Sequence, residues 1–177
     1  MLENLLYLII LQGCINIQET GHGKTVANAS GVCTYKEKSF LLIDIPGTYS
    51  IMSNSEEEEI ARNYICFGKA DVVVVIVDAT SLERNLNLVY QIMEITDKVV
   101  VCVNLLDEAK KKGINVDLPE LEKILGVPVV GTIARKKKTL NKLMEVVKKV
   151  SMGEIIPKPK AIEYLQYIEQ CVETMRE

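Results

Sequence analysis

The sequence predicts an α/β domain: a mostly parallel sheet with helices on both faces and one antiparallel hairpin at its edge. Three observations carry this. The runs DVVVVIVDA (71–79), KVVVCVN (98–104) and PVVGTIA (128–134) are apolar throughout, as strands covered on both faces must be. Segments with helical spacing separate them, the alternation that builds parallel sheets. VANASGVCTY (26–35) and SFLLIDI (39–45) flank the short polar stretch KEKS (36–39), which reads as a hairpin.

In chain order, LLYLIIL (5–11) comes first. A seven-residue apolar run fits a strand or a buried helix, and pattern alone does not choose. After the hairpin, Ser55 and Glu58 make a capping-box pair that opens a helix through about Phe67. Leu82–Ile95 has helical spacing, and DEAKKKG (107–113) reads as a short polar helix stopped by glycine. Asp117 and Glu120 bracket the start of another helix, with Pro119 in its first turn and Gly126 at its end. Thr139 is placed to cap a helix running to Val150. SMGEIIPKPK (151–160) reads as a linker, because Pro157 and Pro159 cannot continue a helix, and AIEYLQYIEQCVETM (161–175) starts another.

Composition narrows the classes. The chain has 177 residues, 48% hydrophobic and 25% charged, which suits one globular domain. A net charge of −3 argues against a general nucleic-acid binder. Five dispersed cysteines without a CxxC pair fit a reducing cytoplasm, with Cys66 and Cys102 read as buried thiols. The lone His22 has no ligand cluster around it. Residues 5–17 are apolar but short of the ~20 needed to span a bilayer. Glu3 and the lack of an A-x-A site argue against a signal peptide. The expectation is a soluble, cytoplasmic chain.

Three motifs fall at the carboxyl ends of predicted strands, where open α/β sheets place ligands. DIPG comprises Asp44, Ile45, Pro46 and Gly47. Asp44 suits Mg²⁺, and Gly47 lets a backbone N–H approach a terminal phosphate. NLLD comprises Asn104, Leu105, Leu106 and Asp107. Its carboxylate can accept two parallel N–H bonds from a guanine edge, which adenine does not offer. In TIAR, the backbone near Ile133, Ala134 and Arg135 can cover the base oxygen. Singly these motifs are weak; as an ordered set they point to a guanine nucleotide.

Gly23-Lys24-Thr25 looks at first like the end of a GxxxxGK[ST] phosphate loop. The spacing excludes it. Gln18 stands where the first glycine belongs, and the 19 residues from Thr25 to Asp44 are taken up by the hairpin. No helix fits between them.

The stretches IDIPGTYSIMSNSEEEEIARNYI, VDATSLERNLNLVYQIMEI and VNLLDEAKKKGI resemble the guanine-nucleotide domain of the ferrous iron transport protein B (FeoB) family, over about residues 23–175. The resemblance implies a phosphate-loop-GTPase-like fold and a GTP/GDP site with Mg²⁺. It maps Gly23 and Thr25 onto the first switch, with Thr25 as a second Mg²⁺ ligand beside Asp44. It implies a domain at 1–150 with a divergent 1–22, a linker at 151–160 and the opening of a helical domain at 161–177. The membrane partner it implies is a polytopic region that moves Fe²⁺, absent from this chain; the family is anchored at the inner membrane.

On the same mapping the first strand and phosphate loop are lost or replaced, through a natural or a truncated start. The family's central strand would then be missing, with LLYLIIL as a candidate substitute. Guanine contacts alone would leave about −4 to −6 kcal/mol, roughly 50 µM to 1 mM, and GTP hydrolysis would suffer more. The alternative is a nucleotide-incompetent interaction module of the same family. Glu56–Glu59 read as a helix's first turn rather than an iron site, and 48–58 as a second switch.

Overall fold

The strands β4 (Val72–Asp78) and β5 (Val99–Asn104) form the spine of the molecule. Five of six β4 residues from Val72 to Val77 are valine, and β5 is valine but for Cys102 and Asn104. β-branched side chains pack well on a pleated surface, and all twelve residues from 72–77 and 99–104 are buried. The computed structural model describes residues 5–11, 29–45, 63, 65–67, 70–133 and 135–160.

The sheet has six strands in the order β2-β3-β1-β4-β5-β6. Here β1 is Leu5–Leu11, β2 is Ala29–Tyr35, β3 is Lys38–Ile45 and β6 is Val129–Gly131. All neighbours run parallel except β2, which pairs antiparallel with β3 at one edge. LLYLIIL is therefore a strand, and a central one. It pairs with β3 from Leu5↔Ser39 to Leu11↔Ile45, and with β4 from Leu8↔Val72 to Leu11↔Val75. An uncharged run suits that position, which has a strand on either side.

Strand alternation divides the core in two. Val73, Val75, Val77, Val99, Val101 and Val103 face helices α1 (Leu82–Met93), α2 (Leu106–Lys111) and α3 (Leu118–Leu125), meeting Leu88, Ile92, Ala109 and Leu125. Val72, Val74, Ile76, Val100 and Cys102 face α4 (Lys137–Ser151), meeting Leu143, Val147 and Val150.

The local signals at the two ends of α3 hold. Asp117 accepts a hydrogen bond from the Glu120 N–H at 3.0 Å, and Gly126 ends α3 with φ 74°. Gly126 is also a close approach: a Cβ there would lie 2.1 Å from the Lys158 carbonyl oxygen. The predicted linker residues 158–160 lie along this end of α3, the Lys158 and Lys160 N–H groups donating to Gly126 and Leu125.

Four expectations shift. The last strand covers Val129–Gly131 and not all of 128–134. Helix α1 stops at Met93, after a 3-10 turn at Ala79–Ser81. Lys136 is the N-cap of α4, while Thr139 sits inside the first turn and ties down the preceding loop. Cys66 is exposed, on the outer side of a turn whose buried residue is Ile65. The capping pair Ser55/Glu58 and the helix at 161–175 lie outside the described residues.

Candidate functional site

The carboxyl edge of the sheet gathers the predicted motifs. Asp44 is the penultimate residue of β3, opposite Ile10 of β1 and Ala29 of β2. It is half-buried, and burial raises its carboxyl pKa above the ordinary carboxylate value. No described residue gives it a hydrogen bond or counter-charge. Ile45 is fully buried beneath it. Pro46, Gly47, Gly23, Thr25 and Ala134 lie outside the described residues. The described ends of the segment holding Gly23 and Thr25 are informative, however. Leu11 pairs with Ile45, and Ala29 with Asp44, so both ends sit at this edge.

Asn104 closes β5 and is 3% exposed. Its Oδ1 accepts a hydrogen bond from the Thr132 hydroxyl at 3.1 Å. Thr132 is 1% exposed, and its N–H donates to the Val103 carbonyl at 2.7 Å. The Cys102 sulfur lies 3.2 Å from the same hydroxyl oxygen. Since that hydroxyl has one proton and gives it to Asn104, the thiol is the donor in the second contact. Burial pushes the Cys102 thiol up to about 11, which keeps that proton in place. The relay Cys102 → Thr132 → Asn104 fixes the amide: Oδ1 faces Thr132, and the Nδ2 donors have no partner among the described residues. Buried amide donors call for a partner, and a hydrogen-bond acceptor on a ligand at this edge would serve.

After Asn104 the chain turns sharply. Leu105 has φ 60° and ψ 31°, a left-handed conformation costly for a leucine. This lets α2 start at once, with Asp107 and Glu108 in its first turn. The Leu106 N–H points at the Thr132 carbonyl across 3.5 Å. Gly131 is needed for this approach, because a Cβ there would lie 2.5 Å from both Leu106 Cδ1 and Leu118 Cδ1. The loop after β6 is clamped by Thr139, whose hydroxyl accepts from the Ile133 N–H at 3.1 Å and lies 2.8 Å from the Lys136 carbonyl. Arg135 is exposed beyond it.

Of the candidates, Asn104 and the loop at Ile133 are brought together, with Leu105, Leu106 and Asp107 following directly. Asp44 stands three strands away along the same edge. Motif reading passes over Thr132, Cys102 and Thr139, which the structure adds to this edge. The signal for Thr132 is a hydroxyl directly after the last strand, beside an asparagine ending the neighbouring strand. An open cleft of about 620 Å³ adjoins this edge, between residues 79–84 and 114–124. No residue of the three motifs lines it.

The donor set fits a guanine base, through Asn104 Nδ2 donors that have no partner among the described residues and a carboxylate at Asp107. The half-buried Asp44 carboxylate, without a partner among the described residues, fits a cation.

A mostly parallel sheet in this strand order, with an Asn–x–x–Asp turn after β5 and an Asp–x–x–Gly motif beginning at the end of β3, defines a protein of the G-domain class. The family pattern described as "Ferrous iron transport protein B" matches residues 18–147. The Fe(2+) transporter FeoB of Campylobacter jejuni is 38% identical over 136 residues, 77% of this chain and 22% of that protein. The solved FeoB G domain of Methanococcus jannaschii superposes with a TM-score of 0.74 at 34% identity, covering 84% of this chain and 99% of that one. The cytosolic domain of T. maritima FeoB, in a GDP form, gives 0.83 at 32% identity, covering 96% and 72%; it has also been solved in a GMPPNP form. The chain belongs to the ferrous iron transport protein B family, as a G domain. It spans about a fifth of the length of the curated relatives it matches.

Proposed function

We propose that this chain binds guanine nucleotide as the cytoplasmic G domain of a ferrous iron uptake system, next to a polytopic membrane region that carries Fe²⁺. The observation that supports it most is the fixed Asn104 amide. Its carbonyl is held by Thr132 and its N–H donors are left for a ring nitrogen. Asp107, one turn on, supplies the acceptor for the two N–H groups of the guanine edge, and the Ile133–Arg135 backbone covers the base oxygen. Adenine lacks that pair of donors, so selectivity rests on Asp107. The cytosolic domain of T. maritima FeoB, solved in GDP and GMPPNP forms, is consistent with this.

Asp44 and Thr25 would hold Mg²⁺. Thr25 lies four residues before Ala29, which pairs with Asp44, and four extended residues reach about 14 Å. When bound, Mg²⁺ supplies charge neutralisation at the phosphate oxygens. We confine the reading to binding. Hydrolysis depends on a backbone cradle and lysine at the phosphates, and the sequence contains no GxxxxGK[ST]. That same observation favours a second reading, a nucleotide-free interaction module.

Equilibrium binding of a fluorescent GDP analogue with Mg²⁺ decides between them, with Asp107→Asn and an ADP analogue as controls. The expected result is guanine-selective binding that Asp107→Asn abolishes. An affinity in the range of about 50 µM to 1 mM would mean that base contacts carry it, and one below about 1 µM that other residues rebuild a phosphate site. No selective binding up to about 1 mM would establish the second reading.

A further inference from the structure

Helix α4 and the loop before it carry charge out of proportion to the chain. Residues 135–149 hold seven basic side chains and one acid, Glu145, in a protein whose net charge is −3. Arg135, Lys136, Lys137 and Lys138 are consecutive and exposed, with Lys142 one turn further on. None of the seven makes a salt bridge among the described residues. The single acid is already neutralised from outside the helix. Lys36 at the hairpin tip lies 2.6 Å from Glu145 Oε2, and the Tyr35 hydroxyl donates to the same oxygen at 3.1 Å. The helix start opposes this placement, since cations there face the positive end of the helix dipole, and no side-chain cap offsets it. The inner face of α4, through Leu143, Val147 and Val150, is committed to the core, so the cations are confined to its outer side.

We propose that the outer face of α4, with the 135–138 loop, docks on an anionic lipid surface. The charge is complementary to a polyanion, and the clustered cations span a helix of about 22 Å, an extended footprint suited to a surface rather than to one small anion. Each basic residue near an anionic leaflet strengthens attachment about fivefold. Choosing a bilayer over other polyanions rests on the reading of this chain as a transporter's domain; the cation cluster itself does not.

Cosedimentation of the full chain with vesicles tests it. One set contains about one-third phosphatidylglycerol in phosphatidylcholine, the other phosphatidylcholine alone. The expected result is binding to the anionic set only, at about 0.1 M salt, lost at about 0.5 M. The triple variant Lys137→Gln/Lys138→Gln/Lys142→Gln should bind at least about tenfold more weakly. Its far-UV circular dichroism and GDP-analogue titration should match the wild type, which separates failure here from failure of the nucleotide reading. Equal binding to both vesicle sets, no binding, an unaffected variant, or displacement by a short oligothymidylate that binds more tightly than the vesicles would overturn the proposal.

Discussion

Thr132 joins the last two strands and holds the asparagine that the nucleotide reading depends on. Thr132→Val keeps the shape and removes the hydroxyl. Asn104 Oδ1 then sits buried without a donor, at a cost of about 1–3 kcal/mol. Urea unfolding should show that loss, Thr132→Ser should restore most of it, and any GDP-analogue affinity should fall in Thr132→Val. Cys102 adds a pH dependence. Its thiol is raised from about 9 in the unfolded chain to about 11 when folded, so the fold favours the neutral form. The stabilisation is whole below pH 9 and is lost as pH rises through 9 to 11. The shift corresponds to about 2–3 kcal/mol. In Cys102→Val this contribution should vanish. The difference between wild-type and variant unfolding free energies should therefore change between pH 8 and pH 10.5, with the wild type losing more.

At the scale of elements, the β2–β3 hairpin closes through two residues, Lys36 and Glu37, with φ of 43° and 65°. Such loops favour glycine at the second position, because L side chains disfavour positive φ. Lys36 is engaged with Glu145, whereas Glu37 has no partner among the described residues. Glu37→Gly should raise stability by about 0.5–1 kcal/mol, read as a higher urea midpoint at unchanged slope; a fall would mean that the strain is absent. The same hairpin shows what sequence makes legible. KEKS between two strand-like runs announced the turn, as Asp117 and Gly126 announced the ends of α3, because turn and cap chemistry is local. The ends of β6 and α4 were misplaced because Thr139 bonds to Ile133 six residues back, a tertiary contact that propensity does not register. Asn104 and Asp107 were legible as chemistry, but the αL turn at Leu105 was not, since nothing about leucine announces it. Cys66 was misread because an apolar neighbourhood in sequence says nothing about which side of a helical turn a residue occupies.

For the whole molecule, the strand that pattern alone left open between helix and strand proves central. β1 is the sheet neighbour of both β3 and β4, which do not pair with each other. Off the ladder, the hairpin is held to the α4 side by Phe40, buried in one cluster with Val74, Leu143 and Val147, and by the Tyr35 and Lys36 contacts with Asn141 and Glu145. Exposed ion pairs of this kind contribute little. The strand pairing that joins the hairpin to the rest of the sheet runs through Leu5–Leu11. Ile9 faces Ile43 on one side and Val73 on the other. In a central strand each N–H serves one neighbour, so Ile9→Pro deletes a ladder bond and is sterically excluded from the interior of the sheet. Its cost should be about 3 kcal/mol or more, but its distribution is the sharper test. Hydrogen exchange should show β2 and β3 losing protection first, while β4, β5 and β6, packed between α1, α3 and α4, keep theirs. Uniform loss would mean that the sheet unfolds as one unit. Unchanged protection in β3 would mean that β1 does not bind the hairpin to the rest of the sheet.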